Sequence, residues 1–428
     1  MAPAAIIERT DAVADRDASV ETIDALVRAA TLLFVNGQTT QRTTIAVKQA
    51  ARAFGFRAAI FLRWGELRID ISNERGARSA ASMVHPVGVH MGKVAAAMSA
   101  LEAAPEGPPD PAALASRLTE IEAIAPASTA RFAFMAAAGA AALGVIFGAG
   151  DVLSLLLIAV SAGAGGLLRR WVGAHSDNPF LQPFCAALLA GLIGAIVIRL
   201  HLNVMQRLVV VCPCMVLVPG PHLLNGTIDL LRARIAVGAA RVVFASLIVL
   251  AICAGLLIGL SLGGASLPEA TSGPEPPLIY DLIAAGIAVA AFGAFFSMPW
   301  VLLPIPVAIG MLAHAARWIV LSLGGNVAIG ALVACLLVGS LTTPIAQRLN
   351  LPFAALGFAS VVSLMPGVYL FQVASGLVDL AVLGSKAPGA LLPSVVSDGA
   401  TAFMIIMAIT IGLIAPKMIV DRRLSEDA

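Results

Sequence analysis

Val216-Leu217-Val218-Pro219-Gly220-Pro221-His222-Leu223 and, 147 residues further on, Ser363-Leu364-Met365-Pro366-Gly367-Val368-Tyr369-Leu370 are the two stretches whose reading decides the fold. Each closes an apolar run on a Pro-Gly pair. The same offset aligns Gly139 with Gly286, Gly163 with Gly310, Arg170-Trp171 with Arg317-Trp318, Leu202-Asn203 with Leu349-Asn350, and Leu223 with Leu370. Coincident Ala and Leu mean little in such a chain. Trp is different, because the chain has four and two of them, each preceded by Arg, share the register. A register held over this span marks a duplicated unit. Apolar halves interrupted at corresponding places are the sequence signature of a secondary transporter.

The composition agrees. The 428 residues are 59% hydrophobic and 12% charged, with a mean hydropathy of +0.93, which describes a polytopic membrane protein. A net charge of +2 says nothing about nucleic acid, and no basic cluster with interleaved aromatics points to it, so no nucleic acid is expected as a partner. The five Cys (Cys185, Cys212, Cys214, Cys253, Cys335) lie in apolar runs and read as packing residues, not disulfides. Met1 to Val20 is polar and acidic and has no signal-peptide core, so the N-terminus is expected in the cytosol.

Residues 1–125 read as a separate soluble α+β domain. Helices are expected at Ile23 to Phe34 and Thr40 to Phe54, punctuated by Gly37 and Gly55, with Thr39-Thr40 as the cap. Two strands, Ala58 to Arg63 and Glu66 to Ile71, turn at Trp64-Gly65. Two further helices, Val89 to Leu101 and Pro111 to Ile124, flank a Pro-rich turn from Pro105. From Phe132 the apolar runs are long enough to span a bilayer, which takes about 20 residues. They fall near 131–149, 152–170, 181–199, 205–221, 236–262, 279–298, 300–321, 326–345, 351–368 and 397–416. That is ten helices in two five-helix repeats, 126–265 and 279–420. An odd number of spans per repeat inverts the second copy against the first. With the N-terminus inside, Arg169, Arg170, Arg232, Arg234, Arg348, Lys417, Arg422 and Arg423 lie at cytoplasmic ends. Arg199, Arg207, Arg317 and Lys386 lie outside, as does the loop Ser266 to Leu278, which has no Lys or Arg.

Pro removes a backbone donor and Gly tolerates unusual dihedrals, so each Pro-Gly pair is expected to break its helix. Backbone groups freed at membrane depth must be met by protein or by a water-filled cavity, and such ends can hold a small polar substrate. The competing reading is a tight turn at the surface; recurrence in both halves favours a site. Pro219, Gly220, His222 and Asn225 around the first pair, and Pro366, Gly367, Tyr369 and Gln372 around the second, are the substrate-binding candidates. His222, Asp229 and Arg241 are the candidates for coupling, since a histidine titrates near neutrality and a buried carboxylate shifts upward. For Asp229 the alternative is a solvated helix end beside Arg232 and Arg234, and for Arg241 a side chain reaching to the surface. Asp379 has no strict counterpart in Asp229. Arg170-Trp171 and Arg317-Trp318 suit the headgroup layer, while Arg241 and His314 fall deeper, where ionisable groups are functional candidates by default.

Cys212-Pro213-Cys214 could present two thiolates to a soft metal, yet no phosphorylation motif or P-loop accompanies it, and Ala359-Ser360-Val361 lacks Cys in the second half. No metal or cofactor is therefore expected. Ser82, His85, His90 and Asp70 form no hydrolase elbow or helical zinc pair, so no enzyme activity is expected.

Leu33-x-x-x-Gly37-x-Thr39-x-x-Arg42, Val216-Leu-Val-Pro219-Gly220, Asn225-Gly226-Thr227-Ile228-Asp229-Leu230 with Gly238, and Leu364-Met-Pro366-Gly367-x-Tyr369-Leu370 together resemble the threonine/serine exporter family over nearly the whole chain. The resemblance implies a multi-pass exporter of the cell inner membrane, expelling threonine and serine at the expense of the proton-motive force. Relatives split into two polypeptides are associated with dicarboxylate (succinate) export, and the fused chain leans to the amino-acid branch. Pro221 and His222 depart from the small or hydroxyl residues expected there, and the stretch from about Leu380 to Pro393 has no counterpart in the first half. The expected partners are a small polar substrate, protons and the lipid bilayer, with a second copy of the chain kept open. A soft-metal transporter and a membrane sensor stand as alternatives.

Overall fold

The computed structural model describes residues 4–74, 76–102, 110–202, 204–268, 276–349 and 351–426. The chain divides into two compact units. One holds Met1–Pro126, Asn225–Arg241 and Ala346–Ala354; the other holds Ala127–Leu224, Val242–Ile345 and Ala355–Ala428.

In the first unit, α1 (Ala4–Val35) and α2 (Thr40–Ala53) precede an antiparallel sheet of β1 (Arg57–Leu62), β2 (Gly65–Asn73) and β3 (Gly76–Val84), in that order. Then come α3 (Met91–Glu102) and α4 (Pro111–Glu122). Along β2 the side chains alternate, so Leu67, Ile69 and Ile71 face Ile23, Leu26, Val27, Ala30 and Phe34 of α1. A different stripe of the same helix, Ala25, Ala29, Leu32 and Leu33, packs on Val94, Ala97 and Met98 of α3 and Leu114, Leu118 and Ile121 of α4. Helix α1 is thus the middle layer, which is why it is apolar on two faces.

The caps are where the sequence placed them. Gly37 (φ 95°) and Gly55 (φ 80°) occupy the left-handed region, and Thr39 Oγ1 accepts the Arg42 amide at 3.3 Å. Asp110 caps α4 just ahead of Pro111, accepting the Ala112 amide at 2.9 Å. Strand β3 is an addition. Its Gly-Ala-Arg-Ser-Ala-Ala-Ser-Met-Val run has little apolar alternation, and only Val84 of it is buried. The Pro-rich turn expected from Pro105 lies outside the described residues through Pro109.

Nine helices are long and apolar enough to cross a membrane among the described residues, and one bent pair brings the count to ten. The first half comprises α5 (Thr129–Ile146), α6 (Val152–His175), α7 (Leu181–Arg199), the pair α8 (Gln206–Met215) and α9 (Gly220–Leu231), and α10 (Ile235–Leu262). The second comprises α11 (Leu278–Phe295), α12 (Pro304–Ser322), α13 (Val327–Arg348), the short α14 (Phe353–Val361) leading to α15 (Gly367–Leu383), and α16 (Leu391–Glu426). The 147-residue offset carries Gln206 onto Phe353 and Gly220 onto Gly367, the starts of α8 and α14 and of α9 and α15. Asn203 and Asn350, which share the register, lie outside the described residues, as does most of the loop from Ser266.

The chain breaks at both Pro-Gly pairs, as their residues led one to expect, and the apolar runs at 205–221 and 351–368 are not single straight spans: α8 and α9 meet at 58°, and α14 ends in a 3-10 turn, Val362–Leu364, before α15 begins. The physical cause is common to both. Pro219 and Pro366 lack an amide donor, and Pro366 (φ −79°, ψ 40°) is not helical. The ten expected spans also left out α15, an apolar helix over residues 367–383 that follows the second Pro-Gly.

Equivalent helices meet through glycine in both halves. In the first, Gly191 of α7 abuts the backbone of Leu256 and Gly259, and Gly255 abuts the Phe184 carbonyl. In the second, a Cβ on Gly339 of α13 would lie 2.7 Å from the Gly412 carbonyl of α16. Such small-residue contacts let membrane helices approach at backbone distance. Ahead of α6, Asp151 Oδ1 accepts the Ser154 amide at 2.6 Å, and Ser154 Oγ in turn accepts the Met205 amide at 2.9 Å. Partial burial pushes the Asp151 carboxyl up, but the bonds from Ser154 outweigh it and hold the group below the usual carboxylate range.

Candidate functional site: two helix breaks and their polar neighbours

Each break is seated on the short helix of the other half. Gly220, the first residue of α9, lies against the Phe358 ring of α14, with no room for a Cβ. Gly367, the first residue of α15, lies against Met215 of α8, whose Cγ would be 2.9 Å from a Cβ there. Both glycines are required by close approach, not by dihedral angle. Pro219 and Pro366 immediately precede these contacts. Tyr369 and Gln372 are half-buried in the first turns of α15.

Beside the first break, the last turn of α8 closes a small cavity with α5, α6 and α7. Pro213, Val216 and Leu217 form one wall; Ser161 and Arg169 of α6 supply the polar lining. The Ser161 hydroxyl is buried and has no hydrogen-bond partner among the described residues. The cavity measures about 10 Å³ in this conformation, room for one water. His222, in the first turn of α9, is buried and stands edge-on to Phe244, ring centroids 5.3 Å apart.

Beside the second break is a closed polar cluster. His314 of α12 bridges Asp281 of α11 (Nδ1 to Oδ2, 2.9 Å) and Ser363 of the 3-10 turn (Nε2 to Oγ, 2.5 Å). All three are at most 3% exposed. Asp281 Oδ1 has no hydrogen-bond partner among the described residues. Near Tyr369, Arg207 of α8 is buried, with Nε and Nη2 lacking hydrogen-bond partners among the described residues. Asp398 and Tyr369 are its electrostatic neighbours.

The other coupling candidates sit in the first unit. Asp229, at the end of α9, is 1% exposed and accepts from the Thr40 hydroxyl (2.8 Å) and from Arg241 (2.9 Å), both at Oδ2. Arg234 reaches Oδ1 at 3.4 Å. Arg241, also 1% exposed, lies over the Phe34 ring, 4.8 Å from its centroid. The turn between α9 and α10 is made by Ala233 in the left-handed region (φ 57°), and Gly238 packs on Leu230 and the Gly226 carbonyl. Asn225 donates to the Gly37 carbonyl at 3.0 Å. Asp229 is therefore an ion-paired, buried carboxylate instead of a solvated helix end, and Arg241 does not reach to the surface. Gly37 and Asp229, which entered the resemblance in two separate motifs, are thus held at one place, Gly37 by Asn225 and Asp229 by Thr40.

Sequence reading missed Asp281, Ser363, Ser161 and Thr40. Asp281 carried a usable signal, an acid inside an apolar span. The hydroxyl residues carried none. Cys212 and Cys214 are buried on α8, and no group of three or more His, Cys, Asp or Glu side chains able to hold a metal occurs among the described residues.

A duplicated bundle of apolar spans, broken at equivalent places and lined there by isolated polar groups, is the architecture of a membrane transporter. Residues 24–263 match the threonine/serine exporter family, and residues 281–419 match a second family model, threonine/serine exporter, ThrE. The chain belongs to the threonine/serine exporter family, in its fused form. No solved structure matches it.

Proposed function

We propose that the chain exports threonine and serine from the cytoplasm across the cell inner membrane by proton-driven alternating access, with its N-terminal domain on the cytoplasmic side. The observation that carries this reading is the reciprocal seating of Gly220 on Phe358 and Gly367 on Met215. Each break rests on the short helix that leads into the other, so displacement at one passes to the other, as exchange between two access states needs. The substrate sites are the two breaks, at Pro219, Gly220, His222 and Asn225 and at Pro366, Gly367, Tyr369 and Gln372. Arg169 in the first cavity is the partner for a substrate carboxylate and Ser161 for a hydroxyl, once the cavity opens beyond its one-water size.

Of the coupling candidates, His222 stands directly after the first break and remains a titratable group of that site. Asp229 and Arg241 satisfy one another, and this favours a latch role over proton carriage. A second guanidinium, Arg207, favours the alternative of dicarboxylate (succinate) export, because two carboxylates need two cations. Asp398 beside Arg207 supplies the opposite charge and returns the balance to a zwitterion.

Proteoliposomes loaded with labelled threonine or succinate decide between them. Threonine efflux that rises with an imposed proton gradient supports the reading; succinate efflux alone moves the chain to the dicarboxylate branch, and movement of neither overturns both.

A further inference from the structure

The two halves are alike in helices and unlike in what stands behind their breaks. In the second half the buried trio Asp281, His314 and Ser363 ties α11 and α12 to the turn that leads into Pro366-Gly367. At the register-equivalent positions of the first half stand Phe134, Leu167 and Val216. Packing alone does not require the trio, since the duplicate lacks all three polar groups. A buried acid and imidazole within membrane spans are costly even when they bond one another, and such groups mark function by default.

The geometry points to Asp281, His314 and Ser363 as the site that carries the coupling proton, and to Ser363 as the residue that reports its arrival to the second helix break. This rests on the reading of the chain as a proton-driven exporter and moves its proton from the coupling candidates His222, Asp229 and Arg241 to His314, singled out for its depth, and two residues that carried no earlier role. In the empty state the Asp281 carboxylate accepts from His314 Nδ1–H, and His314 Nε2 accepts from the Ser363 hydroxyl. That cluster carries one net negative charge. An arriving proton binds Nε2, giving an imidazolium facing a carboxylate and a cluster of zero net charge. No covalent bond other than N–H forms or breaks.

The consequence is directional. With Nε2 protonated, the imidazolium donates and the Ser363 oxygen accepts, so the Ser363 hydroxyl hydrogen must turn to another acceptor. Ser363 lies three residues before Pro366, so this reversal acts on the turn whose end is the break. Few charged groups compete. Facing elements contribute Arg131 of α5, whose guanidinium is held by the Met298 carbonyl (3.1 Å) at the far end of α11, and Arg317, one turn beyond His314 on α12. Tyr280 adjoins Asp281 but is 60% exposed; the turns Trp300–Leu302 and Val362–Leu364 carry no titratable side chain.

The test uses the full chain with Asp281→Asn, His314→Gln and Ser363→Ala, each checked for a single monodisperse species. In proteoliposomes, the inference expects gradient-driven threonine efflux to be lost in Asp281→Asn and His314→Gln while threonine–threonine exchange without a gradient persists. Ser363→Ala keeps both titrating groups and is expected to bind the proton but couple it poorly. Gradient-driven efflux unchanged in all three variants overturns the inference. A substrate-independent reading separates it from the exporter reading: infrared difference spectra recorded on a pH step should show imidazole-to-imidazolium bands with a shifted carboxylate band, and these should vanish in Asp281→Asn and His314→Gln. Bands that persist in both variants overturn the proton site whether or not threonine is moved. Wild-type bands lost in the variants, with no threonine movement, keep the proton site and overturn the exporter reading alone. Where Asp281→Asn fails to fold, His314→Gln and Ser363→Ala carry the same comparison.

Discussion

Asp229 shows how much a single buried charge can constrain. Its carboxylate holds Arg241, and neither side chain is more than 2% exposed. Removing one partner leaves the other buried and alone, so Asp229→Ala should destabilise the protein by about 3–5 kcal/mol. Replacing both, Asp229→Leu with Arg241→Met, should recover most of that loss, and thermal unfolding of the purified single and double variants checks the pattern. His90 makes a different prediction. It is buried at the start of α3, where Nδ1 accepts the Lys93 amide at 3.1 Å. Burial lowers its pKa below the ordinary 6.5, so the folded domain takes up a proton less readily than the unfolded chain. The associated stability is complete above pH about 6.5 and drains away as pH falls through the lower folded value. Protonation also removes the acceptor that caps α3, worth about 1 kcal/mol. Hydrogen exchange in α3 should therefore quicken on acidification, and His90→Asn, which caps without titrating, should flatten the response. Such residue-level pairings were poorly legible beforehand. Asp229 and Arg241 meet across a turn made by a left-handed Ala233, and His314 meets partners 33 and 49 positions away, distances over which no local pattern operates.

At the scale of elements, rare residues made the architecture readable. Pro, Gly and Trp punctuate an Ala- and Leu-rich chain, so the duplication and both breaks could be placed from spacing alone. What escaped was composed of common residues: β3 is mostly Ala and Ser on exposed faces, and α15 continues an apolar run past a proline that also ends one. The breaks lead to a paired prediction. Gly220→Ala should cost at least about 1–3 kcal/mol and abolish transport, because the new methyl meets the rigid Phe358 ring. Gly367→Ala should be milder, since the neighbour is Met215, a flexible side chain that can repack. Transport assays on the two variants, with Phe358→Ala added to Gly220→Ala, should show the ranking and a partial rescue.

For the whole molecule, the unit boundaries matter more than the order of domains along the chain. The N-terminal 126 residues are compact with Asn225–Arg241 and Ala346–Ala354, not a bead on a linker. Val237 lies in the core shared by α1 and the sheet, and Thr40 and Phe34 complete the environment of Asp229 and Arg241. Deleting residues 1–125 should therefore lower the yield of monodisperse protein and its melting temperature together, where removal of a detachable regulator would leave both unchanged. The reciprocal seating of the two breaks also says something about descent. A single five-helix half would leave its glycine without the facing ring or thioether, so an ancestor made of one half had to find that surface on a second copy of itself. Fusion then freed the copies to diverge, and the trio at Asp281, His314 and Ser363 is such a divergence. The dependence should still be demonstrable today: a gene cut between α10 and α11 should yield two polypeptides that are inert apart and regain activity when made in the same cell.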